Sequence, residues 1–245
     1  MKWGQVWPEG EECPNKLAGS GAVAVAQILS AMKLPSTIQY TYLNSKNHTF
    51  LNWDEINKHV LSLDNNNEMS KVMHQDECSL AGDKHSDISK LVREIGHRSS
   101  AQYNTNETVI TFDNALKALK SLSQKSPVYT GSYHEEFYRN FVNSDNHVAI
   151  FCGVDNTKSI EKCYFWIADG FWEIGKIIRV YHVIQEWDPN KPNTDGITYT
   201  DYGSITKYLR LNWGASGNCN GYFLYDAIFN PQDGVNYGSN PHTLT

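Results

Sequence analysis

The sequence has no run of about 18 apolar residues, and its start has neither the charged nor the apolar region of a signal peptide. No membrane span is expected, and the chain reads as soluble. There is no excess of positive charge: 21 Lys+Arg stand against 27 Asp+Glu, a formal net charge of -6. Nothing in that balance draws the protein to phosphate backbones or anionic lipid, which sets nucleic acid aside as a partner. Cysteine is scarce and unpatterned. Cys13, Cys78, Cys152, Cys163 and Cys219 form an odd set without C-x-x-C or zinc spacing, so they signal neither a disulfide framework nor a metal site. His-Glu-x-x-His, a Gly-rich phosphate loop and a paired-carboxylate signature are also missing, so metallopeptidase, nucleotide-binding and glycosidase chemistry have no carrier and no cofactor is expected.

What is present is an ordinary core. Apolar residues make up 40% of 245, enough for one substantial domain or two closely packed lobes. From Ala18 to Lys33 the residues Ala22, Val23, Val25, Ala26, Ile28, Leu29 and Met32 surround a helix with apolar groups on most sides, which predicts burial. Further helices are predicted at Trp53 to Leu63, capped by Asn52, at Asp87 to Ile95 and at Asp113 to Leu122. After Ser126 the pattern turns to strands: Val128 to Thr130, His147 to Val154, Cys163 to Ala168, Ile177 to Ile184, Tyr208 to Trp213 and Tyr222 to Leu224. The expectation is an α+β fold in one domain, mainly helical over 1–125 and mainly sheet over 126–245, with a cleft between the two parts. Cys152 and Cys163 lie on strands able to pair across the Asp155 to Ile160 turn, which admits a disulfide in an oxidising compartment.

Four local patterns carry the candidate chemistry: Trp3-Gly4-Gln5, Gly19-Ser20-Gly21 opening the buried helix, Asn146-His147 opening an apolar strand, and Leu211-Asn212-Trp213-Gly214. Acyl transfer needs a nucleophile, a base, a group that orients the base, and donors for the oxyanion. Each pattern supplies one of these. Singly, each has a plainer reading: Ser20 as a helix cap, His147 as a satisfied polar residue, Gln5 as surface, Asn212 and Trp213 as a strand end with a packed indole. A helix N-terminus favours an anion and would activate a cysteine there; a serine hydroxyl stays un-ionised and depends on a base. The Gly-x-Ser-x-Gly elbow of α/β-hydrolases is not met, because Ala18 and Ala22 stand two positions either side of Ser20.

In this order the patterns resemble the streptopain-like cysteine peptidases, which have a papain-like, two-lobed fold. Trp3-Gly4-Gln5, Trp7-Pro8 and Cys13-Pro14 resemble the mature start of those enzymes, and Ala18 to Ile28 is similar to their nucleophile helix, with Ser20 where the family has cysteine. The resemblance implies that Gln5 lends its amide to the oxyanion hole, that His147 is the base and that Asn212 orients it. Trp213 would shield that hydrogen bond, and Gly19, Asn146 and Trp213 would line the substrate site. It also implies a protein or peptide substrate, an inhibitory prosegment in the precursor, a secreted, periplasmic or cell-surface bacterial location, and a monomer. Two departures stand out. Asn146 and Ala215 replace the family's usual glycine and aromatic, and 163–206 is longer than the expected connection, predicting an extra hairpin with a loop around Asp188 to Gly196. Two functions follow: an active cysteine peptidase silenced by Ser20, or a natural Ser-containing pseudopeptidase that binds peptides.

Overall fold

A computed structural model describes residues 17–42, 45–54, 56–57, 87–126, 130–132, 135–143, 148–154, 163–184, 196–214, 220–224 and 242–244. The central helix, α1 (Ser20–Met32), is buried from Gly21 to Ser30. Its apolar residues on every side leave no face for water, so it must be covered by other elements. It ends at Lys33, a left-handed residue whose N–H returns to Leu29 and Ser30 carbonyls. Two helices cover it: α2 (Asp87–Arg98) and α3 (Phe112–Ser123), the second capped by Thr111, whose hydroxyl accepts from the Asn114 N–H at 3.3 Å. These match the predicted helices to within a few residues. Trp53–Asp54 and Ile56–Asn57 are helical as expected, and the rest of that predicted helix lies outside the described residues.

Two short hairpins are set among these helices where mostly helix was expected: β1 (Thr37–Tyr42) with β2 (Ser45–Phe50), and β3 (Gln102–Tyr103) with β4 (Thr108–Val109). The second half builds a six-stranded antiparallel sheet from β5 (Thr130–Ser132), β6 (Ala149–Val154), β7 (Cys163–Ile184), β8 (Gly196–Asn212), β9 (Gly221–Leu224) and β10 (His242–Leu244). The order is β5-β10-β6-β7-β8-β9. A helix that sequence periodicity did not predict, α4 (Glu135–Val142), packs on one side of it.

The sheet's two faces make two cores, because successive side chains of a strand point opposite ways. Ile150, Cys152, Phe165 and Ile167 join the helical cluster around α1, while Ala149, Phe151, Trp166, Ala168, Leu209, Leu211 and Trp213 pack with Phe137, Tyr138 and Phe141 of α4. Cys152 is fully buried and disulfide-bonded. β7 and β8 then run on past both helices as a long ribbon with its register intact to Ile184 opposite Gly196. The hairpin expected over 163–206 is therefore present, but Cys163 to Ala168 and Ile177 to Ile184 are one strand rather than two. Its only irregularity is a register shift between Ala168 and Gly170. No described helix is long and apolar enough to cross a membrane.

Candidate active site

The turn into α1 can be built only from glycine. Gly19 has φ +79°, and a Cβ there would lie 2.6 Å from the Thr108 carbonyl oxygen. Thr108 fixes this approach by donating its hydroxyl to the Leu17 carbonyl. Gly21 answers a different need, since a Cβ on it would come within 3.2 Å of Ile110 and 3.3 Å of the Phe165 ring. The first turn is thus pressed between Ile110 and β7, with position 20 held between the two glycines.

Ser20 is not the cap that a serine at a helix start usually is. The N-cap is Gly19, no side-chain cap bond forms, and the first turn carries no acidic residue. The Ser20 hydroxyl oxygen instead accepts from the Phe165 backbone N–H at 3.1 Å. The side chain therefore meets two sources of positive potential, the free N–H groups of a helix N-terminus and a strand N–H aimed at its oxygen. An anion at this position is stabilised by both.

Asn212 ends β8 opposite Ile167 on the α1 side of the sheet. It is 2% exposed, and its Oδ1 accepts from Gln27 Nε2 at 3.4 Å and from the Gly214 N–H at 3.1 Å. Gly214 is again a left-handed glycine, φ +64°. Gln27 is a residue whose role the sequence reading missed: a fully buried amide in the middle of an apolar helix, two turns on from Ser20. Such a polar residue inside an all-round apolar pattern was the available signal. Ser20 and Asn212 thus lie along one face of β7, at Phe165 and Ile167, bridged by α1.

The next residue leaves the strand on the other side. Trp213 is fully buried against Trp166 at 5.1 Å and Phe223 at 5.7 Å between ring centroids, its N–H donates to Asn220 Oδ1 at 3.1 Å, and its carbonyl accepts from the Tyr164 hydroxyl at 2.8 Å. Its indole belongs to the α4 side of the sheet and presents no surface there, which makes it a wall behind Asn212. Gly19 is likewise buried. Gln5, Asn146 and His147 lie outside the described residues. β6, which begins two residues after His147, has Ala149 opposite Ala168 of β7, so β7 stands between β6 and the strand of Asn212.

Together these features define an α+β protein with an anion-favouring position at the start of a buried helix, a Gln-held asparagine on the same face of β7, and antiparallel strands beneath both. A family model described as the Peptidase C10 family matches residues 2–223. The chain belongs to that family, the streptopain family of cysteine peptidases, whose substrates are proteins. No curated protein matches the chain.

Proposed function

We propose that the protein, with cysteine at position 20, is an endopeptidase working through a thiolate–imidazolium pair in a papain-like, two-lobed single domain. The observation that carries this reading is the environment of Ser20, held by a helix N-terminus and by the Phe165 N–H rather than used as a cap. A thiol there has its pKa lowered because both neighbours favour the thiolate. The thiolate attacks the peptide carbonyl carbon, and His147 transfers its proton to the departing amine. Water that gives a proton to His147 then adds to the acyl-enzyme and releases the thiolate. Gln5 and the backbone N–H of residue 20 hold the oxyanion, and Asn212, steadied by Gln27, orients the imidazole. Membership of a family of bacterial secreted proteases supports a secreted protein made with an inhibitory prosegment.

Ser20 stands where this chemistry needs a thiol, and a helix dipole of about 1 kcal/mol leaves a hydroxyl un-ionised at neutral pH. The test is Ser20→Cys. The restored form is expected to hydrolyse a generic protein substrate at least about a thousandfold faster than the Ser20 chain and to be labelled at position 20 by a thiol-directed epoxide. A Ser20→Cys protein that is folded yet neither cleaves nor labels overturns the peptidase reading. Peptide binding by both forms would then assign the protein to the pseudopeptidase class.

A further inference from the structure

Just past the end of β8, three backbone groups are held by side chains where a ladder would hold them by backbone. The register that pairs Ile167 with Asn212, continued by two rows, would set Gly214 opposite Phe165 and turn the Phe165 N–H to the β8 backbone. The ladder stops at Asn212 instead. The Trp213 N–H donates to Asn220 Oδ1 at 3.1 Å and the Gly214 N–H to Asn212 Oδ1 at 3.1 Å, while the Trp213 carbonyl accepts from the Tyr164 hydroxyl at 2.8 Å. Buried backbone polar groups are nearly always paired, so these side chains let the strand leave the sheet without orphaning its amides. The Phe165 N–H is left to the Ser20 hydroxyl oxygen, 3.1 Å away.

Two of the three groups belong to one peptide unit. The Trp213 carbonyl and the Gly214 N–H are its two ends, and the unit is planar, so Tyr164 and Asn212 clamp it from opposite ends. Rotation of that unit back toward β7 would break both bonds and return Gly214 to the Phe165 row. Gly214 permits the turned-out state with φ +64°. The Asn212 end of the clamp is tied to α1 through Gln27 at 3.4 Å. The Tyr164 end is tied to β7 by the chain itself, one residue before Phe165. The half-buried Tyr164 ring lies against the Trp213 indole with centroids 6.4 Å apart. A phenylalanine would keep that ring contact and lose only the bond to the carbonyl.

We infer that Tyr164 is a positioning residue for position 20: its hydroxyl holds the Trp213–Gly214 peptide out of the β7–β8 ladder and so reserves the Phe165 N–H for the side chain at the start of α1. It acts through Phe165 rather than on the reacting atoms. The inference rests on the thiolate reading of position 20, because a reserved donor matters most to a side chain that carries charge. Next to that position neither the first turn of α1 nor β4 (Thr108–Val109) has an acidic residue. β7 brings the Tyr164 phenol there, and His147 is the proposed partner.

The test is the pH dependence of alkylation by iodoacetamide, read at position 20 by peptide mass spectrometry in the full chain carrying Ser20→Cys. Its midpoint is expected below the ordinary thiol value of about 8.5. Adding Tyr164→Phe is expected to raise the midpoint by about half a unit or more, which makes labelling about threefold slower at pH values well below it, with an unchanged circular dichroism spectrum. Phe141→Leu opens a cavity on α4 beside Phe171, lowers stability without touching the clamp, and is expected to leave the midpoint in place. A midpoint indifferent to Tyr164→Phe, or one that Phe141→Leu moves as far, overturns the inference and leaves the peptidase reading standing. A Ser20→Cys midpoint at or above the ordinary value overturns the thiolate reading, and the inference with it.

Discussion

Gln27 offers a sharp test of the site because its stability and its function should pull in opposite directions. Its Oε1 is buried with no hydrogen-bond partner among the described residues, which costs about 1–3 kcal/mol relative to a hydrated amide. Its Nε2 reaches Asn212 Oδ1 at 3.4 Å, long for an N–H···O bond and therefore worth less than about 1 kcal/mol. Methionine has the same unbranched length and no group to desolvate. Gln27→Met is accordingly expected to raise stability by about 1 kcal/mol, a Tm increase of about 2–4 °C for a chain of this size. The melt is best read in the Ser20 form. In the Ser20→Cys form the same change removes a donor from Asn212, and turnover is expected to fall by about tenfold or more while KM changes little. A Gln27→Met protein destabilised by more than about 2 kcal/mol would refute the account of the buried carbonyl; unchanged turnover would detach Gln27 from the orientation of Asn212.

Gly19→Ala must accept both a left-handed φ, which costs about 1–2 kcal/mol, and a methyl 2.6 Å from a backbone oxygen. A loss of about 3 kcal/mol or more in urea unfolding is expected, and a loss under 1 kcal/mol would contradict the described turn. Trp213→Leu, at a fully buried position packed against Trp166 and edge-on to Phe223, is expected to cost about 2–4 kcal/mol by leaving a cavity on the α4 side. Equal stability would mean that the indole is not packed there.

Legibility in the sequence followed the physics of each element. α1 was readable because a helix apolar on all sides has no other explanation, and β6 because an apolar run between turn formers has few. β7 was read as two strands because Asp169-Gly170 and Gly175-Lys176 look locally like turns. The ladder with β8 overrides them, absorbing the first pair as a register shift and running through the second unchanged. α4 went unseen since its buried face is Phe137, Tyr138 and Phe141, aromatic residues that favour strands when read singly and only eight residues of helix hold them. β1 carries an alternation, Ile38, Tyr40 and Tyr42 between polar residues, that the sequence reading passed over, while β2, polar up to Phe50, offered none. The peptidase family was legible from four short motifs whose order mattered more than any one of them.

Position 20 is where sequence and structure differ most usefully. Read as a string, Gly19-Ser20-Gly21 is a helix start with its expected capping residue. In space the cap is Gly19, which supplies no side chain, and the two glycines have separate reasons, one a backbone conformation and the other contact with Ile110 and Phe165. The side chain between them is brought to a strand N–H that β8 no longer pairs, since the β7–β8 ladder begins two residues later at Ile167. A hydroxyl draws from this only one neutral hydrogen bond, of about 1 kcal/mol. A thiolate would draw a charge-assisted bond and the helix dipole together, each stronger for an anion than for a neutral oxygen. The local fold therefore does more for an anionic side chain at this position than for the neutral serine that occupies it.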